Sequence, residues 1–217
     1  MAQRQRETIS VNEAVGLFGQ EIPPVIIMKG KKHLYGWYYG EIPDHWTTAV
    51  SPNGWTDGYL GLQWLERNFE PYTRPAEGDD EYRLPIYDAH ESHIIYESIE
   101  YAYAHRIKCL CLPAHSTHLL QPLDVATFGQ YAAEYSMALD NASRRGITGV
   151  DKELFMQLFQ EARKVFTNRL CRSAFSTGIY PYNPLKTFPN LSRMRIVSPT
   201  ANDFSNEFHC DNQSTFN

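Results

Sequence analysis

The chain has 217 residues, 42% hydrophobic and 21% charged, enough for one sizeable core and ordinary for a globular domain. A net charge of −5 exerts no global pull on nucleic acid, so any DNA contact has to come from local basic patches. No stretch approaches the roughly 18 to 20 consecutive apolar residues of a membrane span, no apolar signal region opens the chain, and Cys109, Cys111, Cys171 and Cys210 form no Cys-x-x-Cys pair, so the expectation is reduced thiols in an intracellular protein that is neither membrane-bound nor secreted.

Residues 1–6 read as a polar extension. From Thr8 to Phe18 polar and apolar residues alternate before apolar ones take over, the pattern of a half-buried strand ending at Gly19. Val25 to Met28 is a short apolar run entered through Pro23-Pro24 and left through Gly30, so the two segments predict a hairpin. Lys29, Lys31, Lys32 and His33 then form the densest basic cluster in the chain, either a solvated loop or a contact to a phosphate backbone. Trp37, Tyr38, Tyr39 and Trp46 read as core aromatics ahead of a third strand near Thr47 to Val50. After the Asn53-Gly54 turn, Thr56 or Asp57 caps a helix carrying Leu60, Trp64, Leu65 and Phe69 at helical spacing, which Pro71 is expected to stop. Asp79, Asp80 and Glu81 lie in a Gly-containing loop and read as solvated acids.

The stretch from Tyr87 to Phe128 is chemically the richest. It holds Tyr87-Asp88-Ala89-His90-Glu91-Ser92-His93 and, further on, Leu112-Pro113-Ala114-His115-Ser116-Thr117-His118-Leu119-Leu120-Gln121-Pro122-Leu123-Asp124. Between them Ile94 to Arg106 predicts a helix, with Ile95, Ile99, Ala102 and Tyr103 recurring, and Ile107 to Leu112 a short buried strand. Such an alternation of strand and helix places the strands parallel and gathers ligands at their carboxyl ends. Asp88 closes the first strand and Asp124 sits in the first turn of the helix that Pro122 opens, so both carboxylates are expected at one edge of one sheet. Val125, Phe128, Tyr135 and Leu139 mark a long helix broken at Arg144-Arg145-Gly146, and Leu154, Phe155, Leu158, Phe159, Ala162, Val165 and Phe166 mark the core stripe of another. From Lys186 onward the composition predicts a disordered tail, residues 186–217.

The two boxes resemble the catalytic core of the DDE superfamily endonucleases, in particular the pogo/Tigger branch of transposases. That branch has an Asp-Gly-His-x-Ser-His box and a Leu-Pro-Pro-His-Ser/Thr-Thr-His-Leu-Leu-Gln-Pro-Leu-Asp box. Ala89 and Ala114 depart from the pattern, and the long second box is highly specific. The likeness extends through Asn53-Gly54-Trp55-Thr56-Asp57, Trp64 to Thr73, and Thr177-Gly178-Ile179-Tyr180-Pro181-Tyr182-Asn183-Pro184, which sets the expected domain at residues 7–185. The resemblance implies an α/β, ribonuclease-H-like mixed sheet flanked by helices, a DNA partner, a nuclear location, the joining of copies in a homo-oligomer, and a two-metal site for Mg²⁺ or Mn²⁺ with hard oxygen ligands. Asp88 matches the second catalytic acid and Asp124 the third; both would be metal ligands. The first acid belongs to an Asn-x-Asp-Glu box on a central strand ahead of the strand that begins here near Thr8, and no such box precedes Thr8. The expectation is therefore a catalytically incomplete core lacking its central strand, and Pro85, which cannot donate to a ladder, fits a strand with one neighbour gone or a strand's first residue.

His90 and His93, with His115 and His118, form two His-x-x-His pairs whose spacing also suits zinc, although the resemblance accounts for all four as supports beside the acidic site. Three function classes follow: a transposase-derived endonuclease, a non-catalytic DNA- or protein-binding descendant, and a zinc-dependent hydrolase.

Overall fold

The fold follows from a computed structural model that describes residues 8–38, 42–88, 95–113, 116–147 and 149–187. Strand β1 (Ile9–Val15) runs antiparallel to β2 (Glu21–Lys29), which pairs in parallel with β3 (Thr47–Ser51). The hairpin expected from alternation is present, closed by Gly19 at φ +91°, where an added Cβ would meet the carbonyl of Asn168 at 2.8 Å. Ile26, Ile27 and Met28 are wholly buried because β2 is the middle strand and is covered on both faces. One face packs on Met156 and Phe159, and the other on Leu60 and Trp64.

Asp57 is the cap of helix α1 (Gly58–Trp64): its carboxylate accepts from Leu60 N at 2.9 Å. Pro71 does not stop this helix. The chain widens into a π-turn at Leu65–Phe69, where Glu70 N bonds Leu65 O, and continues as α2 (Glu70–Thr73). Pro71 has no N–H to donate, and the wider turn lies directly before it.

Beyond a loop, β4 (Ile86–Tyr87) pairs in parallel with β5 (Leu110–Cys111) around helix α3 (Tyr96–Ala104). The strand, helix, strand unit is as the periodicity predicts, with two corrections. Among the described residues the five strands form two separate sheets, β1-β2-β3 and β4-β5, instead of one. The strand after α3 is also only partly buried, since Cys109 is exposed and Leu110 is 46% accessible on a two-stranded sheet with an uncovered face. Ile99 and Tyr103 point outward as well, and α3 is anchored through Ser98 and Ala102.

Short helix α4 (Thr117–Leu120) leads to a π-turn at Leu123–Thr127 that runs into α5 (Phe128–Arg144). Asp151 caps α6 (Lys152–Arg163) by accepting from Leu154 N at 2.9 Å, and α7 (Asn168–Ala174) and α8 (Pro184–Thr187) follow. The first residues of the expected tail thus lie in α8, and residues 188–217 lie outside the described residues.

Glu70 ties these parts together. Its buried carboxylate receives two bonds from Arg74, at 2.8 and 2.6 Å, and lies 3.6 Å from Arg83, which also donates to the carbonyl of His105. The Arg74 hydrogen bond first, and the charges of Arg74 and Arg83 with it, hold the Glu70 carboxyl below its ordinary 4.5. A depressed carboxyl contributes stability that is present above the unfolded value and lost as pH falls through the folded one. Glu70→Gln should therefore lower stability near neutrality and flatten its fall below about pH 4.5; urea midpoints measured from pH 3 to 7 test this, and an unchanged acid limb would contradict it.

Candidate acidic site

Asp88 directly follows β4, and Asp124 stands in the first turn of the π-turn that opens behind Pro122. The two elements are 36 residues apart in sequence (124 − 88), yet their carboxylates interact: partial burial first, and the Asp88 charge second, push the Asp124 carboxyl above the ordinary aspartate range. An acid whose ionisation is made costlier by a neighbouring carboxylate marks a place where a cation relieves repulsion, and hard carboxylate oxygens suit a divalent ion.

Of the four histidines, His118 is described and exposed, whereas His90, His93 and His115 lie outside the described residues. Among the described residues no three His, Cys, Asp or Glu side chains converge on a point where a metal could sit. Lys29, Lys31 and Lys32 are exposed on the turn leaving β2. Lys152 pins that turn: its Nζ donates to Lys29 O at 2.7 Å and stands 3.7 Å from the centre of the Trp37 ring. Trp37, Tyr38 and Trp46 pack on the core, as their density predicts.

Glu13, the acid on β1, is not available as a metal ligand. Its buried carboxylate is held by Arg163 through two bonds of 2.9 and 3.0 Å, and Arg163 also reaches Glu21 at 3.2 Å. The residue order of α6 carries a signal for this pairing. Arg163 lies four residues after Phe159 and so falls on the core face of α6, where an arginine requires a partner. Beside Glu13, a cavity of about 250 Å³ opens between β1 and the helices, lined by Ile9, Val11, Phe128, Tyr131 and Phe159 among others. Neither Asp88 nor Asp124 lines it.

The β4-β5 ladder also sets Tyr87 opposite Cys111, and burial first, with the Cys109 and Cys111 thiols after it, pushes the Tyr87 hydroxyl above its ordinary value.

Comparison with known proteins agrees with the two-box pattern. Residues 7–175 match the family described as DDE superfamily endonuclease. A curated relative, MFS-type transporter clz9 of Cochliobolus lunatus, is 35% identical over 181 residues, covering 82% of this chain and 20% of that protein. The chain thus spans about a fifth of the curated relative it matches. Among the described residues no helix is long and apolar enough to cross a membrane. No solved structure matches the chain. Members of the family act on DNA with divalent metals, and the match over residues 7–175, most of the chain, shows that this protein belongs to the DDE superfamily endonuclease family.

Proposed function

We propose that this chain is part of a transposase-derived nuclease core of the pogo/Tigger type, with Asp88 and Asp124 as two of the ligands to Mg²⁺ or Mn²⁺. The main support is the family match over the two boxes that carry these aspartates, together with the Asp88 charge that Asp124 feels from a separate element. Asp88 and Asp124 would hold a divalent ion, which would supply charge to polarise a phosphodiester and to acidify a water. The protein's own part is to hold two oxygens in place and to bring DNA to them, for which we assign the exposed Lys29, Lys31 and Lys32 turn, the densest basic cluster of the sequence.

The finer fold we assign is ribonuclease-H-like, with a central strand that the described residues do not supply. Among the described residues β1 and β4 are the terminal strands of two separate sheets, and β1 is flanked by an open apolar cavity on one face. Pro85, which offers no N–H, accepts from Leu110 N through its carbonyl and leaves its other side without a ladder among the described residues. A further strand between β1 and β4 would join the sheets, fill the cavity with its side chains and bring a third carboxylate to Asp88 and Asp124. Glu13 cannot substitute because it is committed to Arg163. The chain by itself is accordingly a DNA-binding, single-metal form of the core, located in the nucleus; a fluorescent fusion confined to the cytoplasm would contradict that location.

Mn²⁺ calorimetry with plasmid nicking in the same samples tests the site. The expected result is one weak Mn²⁺ per chain, lost in both Asp88→Asn and Asp124→Asn, with no nicking. Nicking that both substitutions abolish would overturn the incomplete-site reading, and Mn²⁺ binding indifferent to both would overturn the ligand assignment. In the same preparation, replacing the three lysines by alanine should weaken DNA retention and lower the salt slope by about 0.9 for each duplex phosphate that is no longer neutralised.

A further inference from the structure

The cavity between β1 and the helices has the size and the wall of a small-molecule site. β1 contributes Ile9 and Val11 to the wall, α5 contributes Tyr131 and Tyr135, and α6 contributes Phe155 and Phe159. The rings hold one another in place: Tyr131 meets Phe159 edge-on at 5.8 Å, Tyr135 lies 6.2 Å from Phe155, and Phe155 stacks on Phe159 at 5.6 Å. Rings fixed from two helices do not collapse into the space between them. A cavity of about 150 Å³ with a purely apolar lining binds benzene, so one of about 250 Å³ accommodates two fused rings.

Among the described residues that line the cavity, Glu13 carries the only charge, and that charge is compensated. Arg163 donates to its two oxygens at 2.9 and 3.0 Å. A ligand thus meets a neutral pair, and a net charge of its own would be buried without a counterion. A carboxylate oxygen has about two acceptor positions, and Arg163 takes one on each. Burial pushes the Glu13 carboxyl above its ordinary value even against Arg163, so a further donor to it is favourable.

We propose that this cavity binds a neutral, fused two-ring aromatic with one ring N–H, of the indole type, with its rings among Tyr131, Phe155 and Phe159 and its N–H donating to the Glu13 carboxylate. Side chains of a strand paired to β1 would take the same space, so such a strand and the ligand exclude each other. The site does not depend on the acidic pair, since neither Asp88 nor Asp124 lines it.

The test is calorimetry of the full chain with indole, 1-methylindole, naphthalene, tryptamine and indole-3-acetate. Indole should bind saturably at one site, and each of the other four at least about 10-fold more weakly, the scale of a lost hydrogen bond to a charged group or of a buried unpaired charge. Val11→Phe, which fills the cavity from β1, should abolish binding with the circular dichroism spectrum unchanged. Nuclear Overhauser contacts from indole to the Ile9 and Val11 methyls locate the ligand without any substitution. Asp88→Asn and Asp124→Asn should bind indole as the unmodified chain does, which separates this site from the nuclease reading. No saturable binding, as when the chain's own residues fill the cavity, would overturn the proposal. So would 1-methylindole or naphthalene binding as tightly as indole, or contacts to protons outside the cavity.

Discussion

Replacing Arg163 by methionine is expected to cost about 3–5 kcal/mol of folding stability, the usual penalty for leaving one member of a buried ion pair alone. The side chains of Arg163 and Glu13 are 7% and 3% accessible, and the guanidinium is further packed over Trp46 and Phe166, so water cannot take over its role. Burial already pushes the Glu13 carboxyl above its ordinary value even with Arg163 opposing the shift. Without Arg163 that rise should grow. A carboxyl whose folded value is raised destabilises the fold above that value and ceases to do so as pH falls below it. The variant should therefore be closest to the unmodified chain in acid and furthest from it at pH 8. Adding Glu13→Leu should recover much of the loss, because a buried pair exchanged for apolar side chains is often neutral. Urea unfolding of the three chains decides the matter, and a loss below about 1 kcal/mol in Arg163→Met would mean that the pair is not the clamp its geometry indicates.

Phe159→Ala is the second large effect, expected at about 3–5 kcal/mol. Phe159 is 1% accessible and lies among rings held by different parts of the chain. Trp46 meets it edge-on at 5.2 Å, Tyr131 of α5 at 5.8 Å, and Phe155 stacks on it at 5.6 Å. Because these rings are fixed from separate elements, they cannot collapse into the space left behind, and the cavity beside β1 would widen. Tyr103→Ala supplies the contrast: at 88% accessible on α3 it should stay within about 0.5 kcal/mol of the unmodified chain. Equal losses at the two positions would show that the aromatic cluster is not the core of this fold.

The two substitutions act on opposite sides of one design feature. α6 meets the sheet with rings at Phe155 and Phe159 and with a cation at Arg163, so the same helix face supplies apolar burial and the countercharge for an acid on β1. Glu13 falls where the register between β1 and β2 shifts, between Asn12 and Ala14. That irregularity is the local feature that coincides with the turning of a carboxylate into the interior.

Much of this was legible in the residues because it is decided over a few positions. Asp57 and Asp151 each stand three residues before the N–H they accept from, and Asp57 is one of the two caps that the sequence offers for its helix. Alternation with a glycine turn specifies the β1-β2 hairpin, and apolar spacing specifies α5 and α6. The two Asp-containing boxes identify the family by themselves, since their residue order is distinctive without coordinates. Only the tertiary structure decided how five strands divide between two sheets, which face of α3 meets solvent, and that Asp88 raises the cost of ionising Asp124. Glu13 and Arg163 show why: they are 150 residues apart, so no local pattern records their pairing, and the burial that makes it necessary exists only once the helix lies on the sheet.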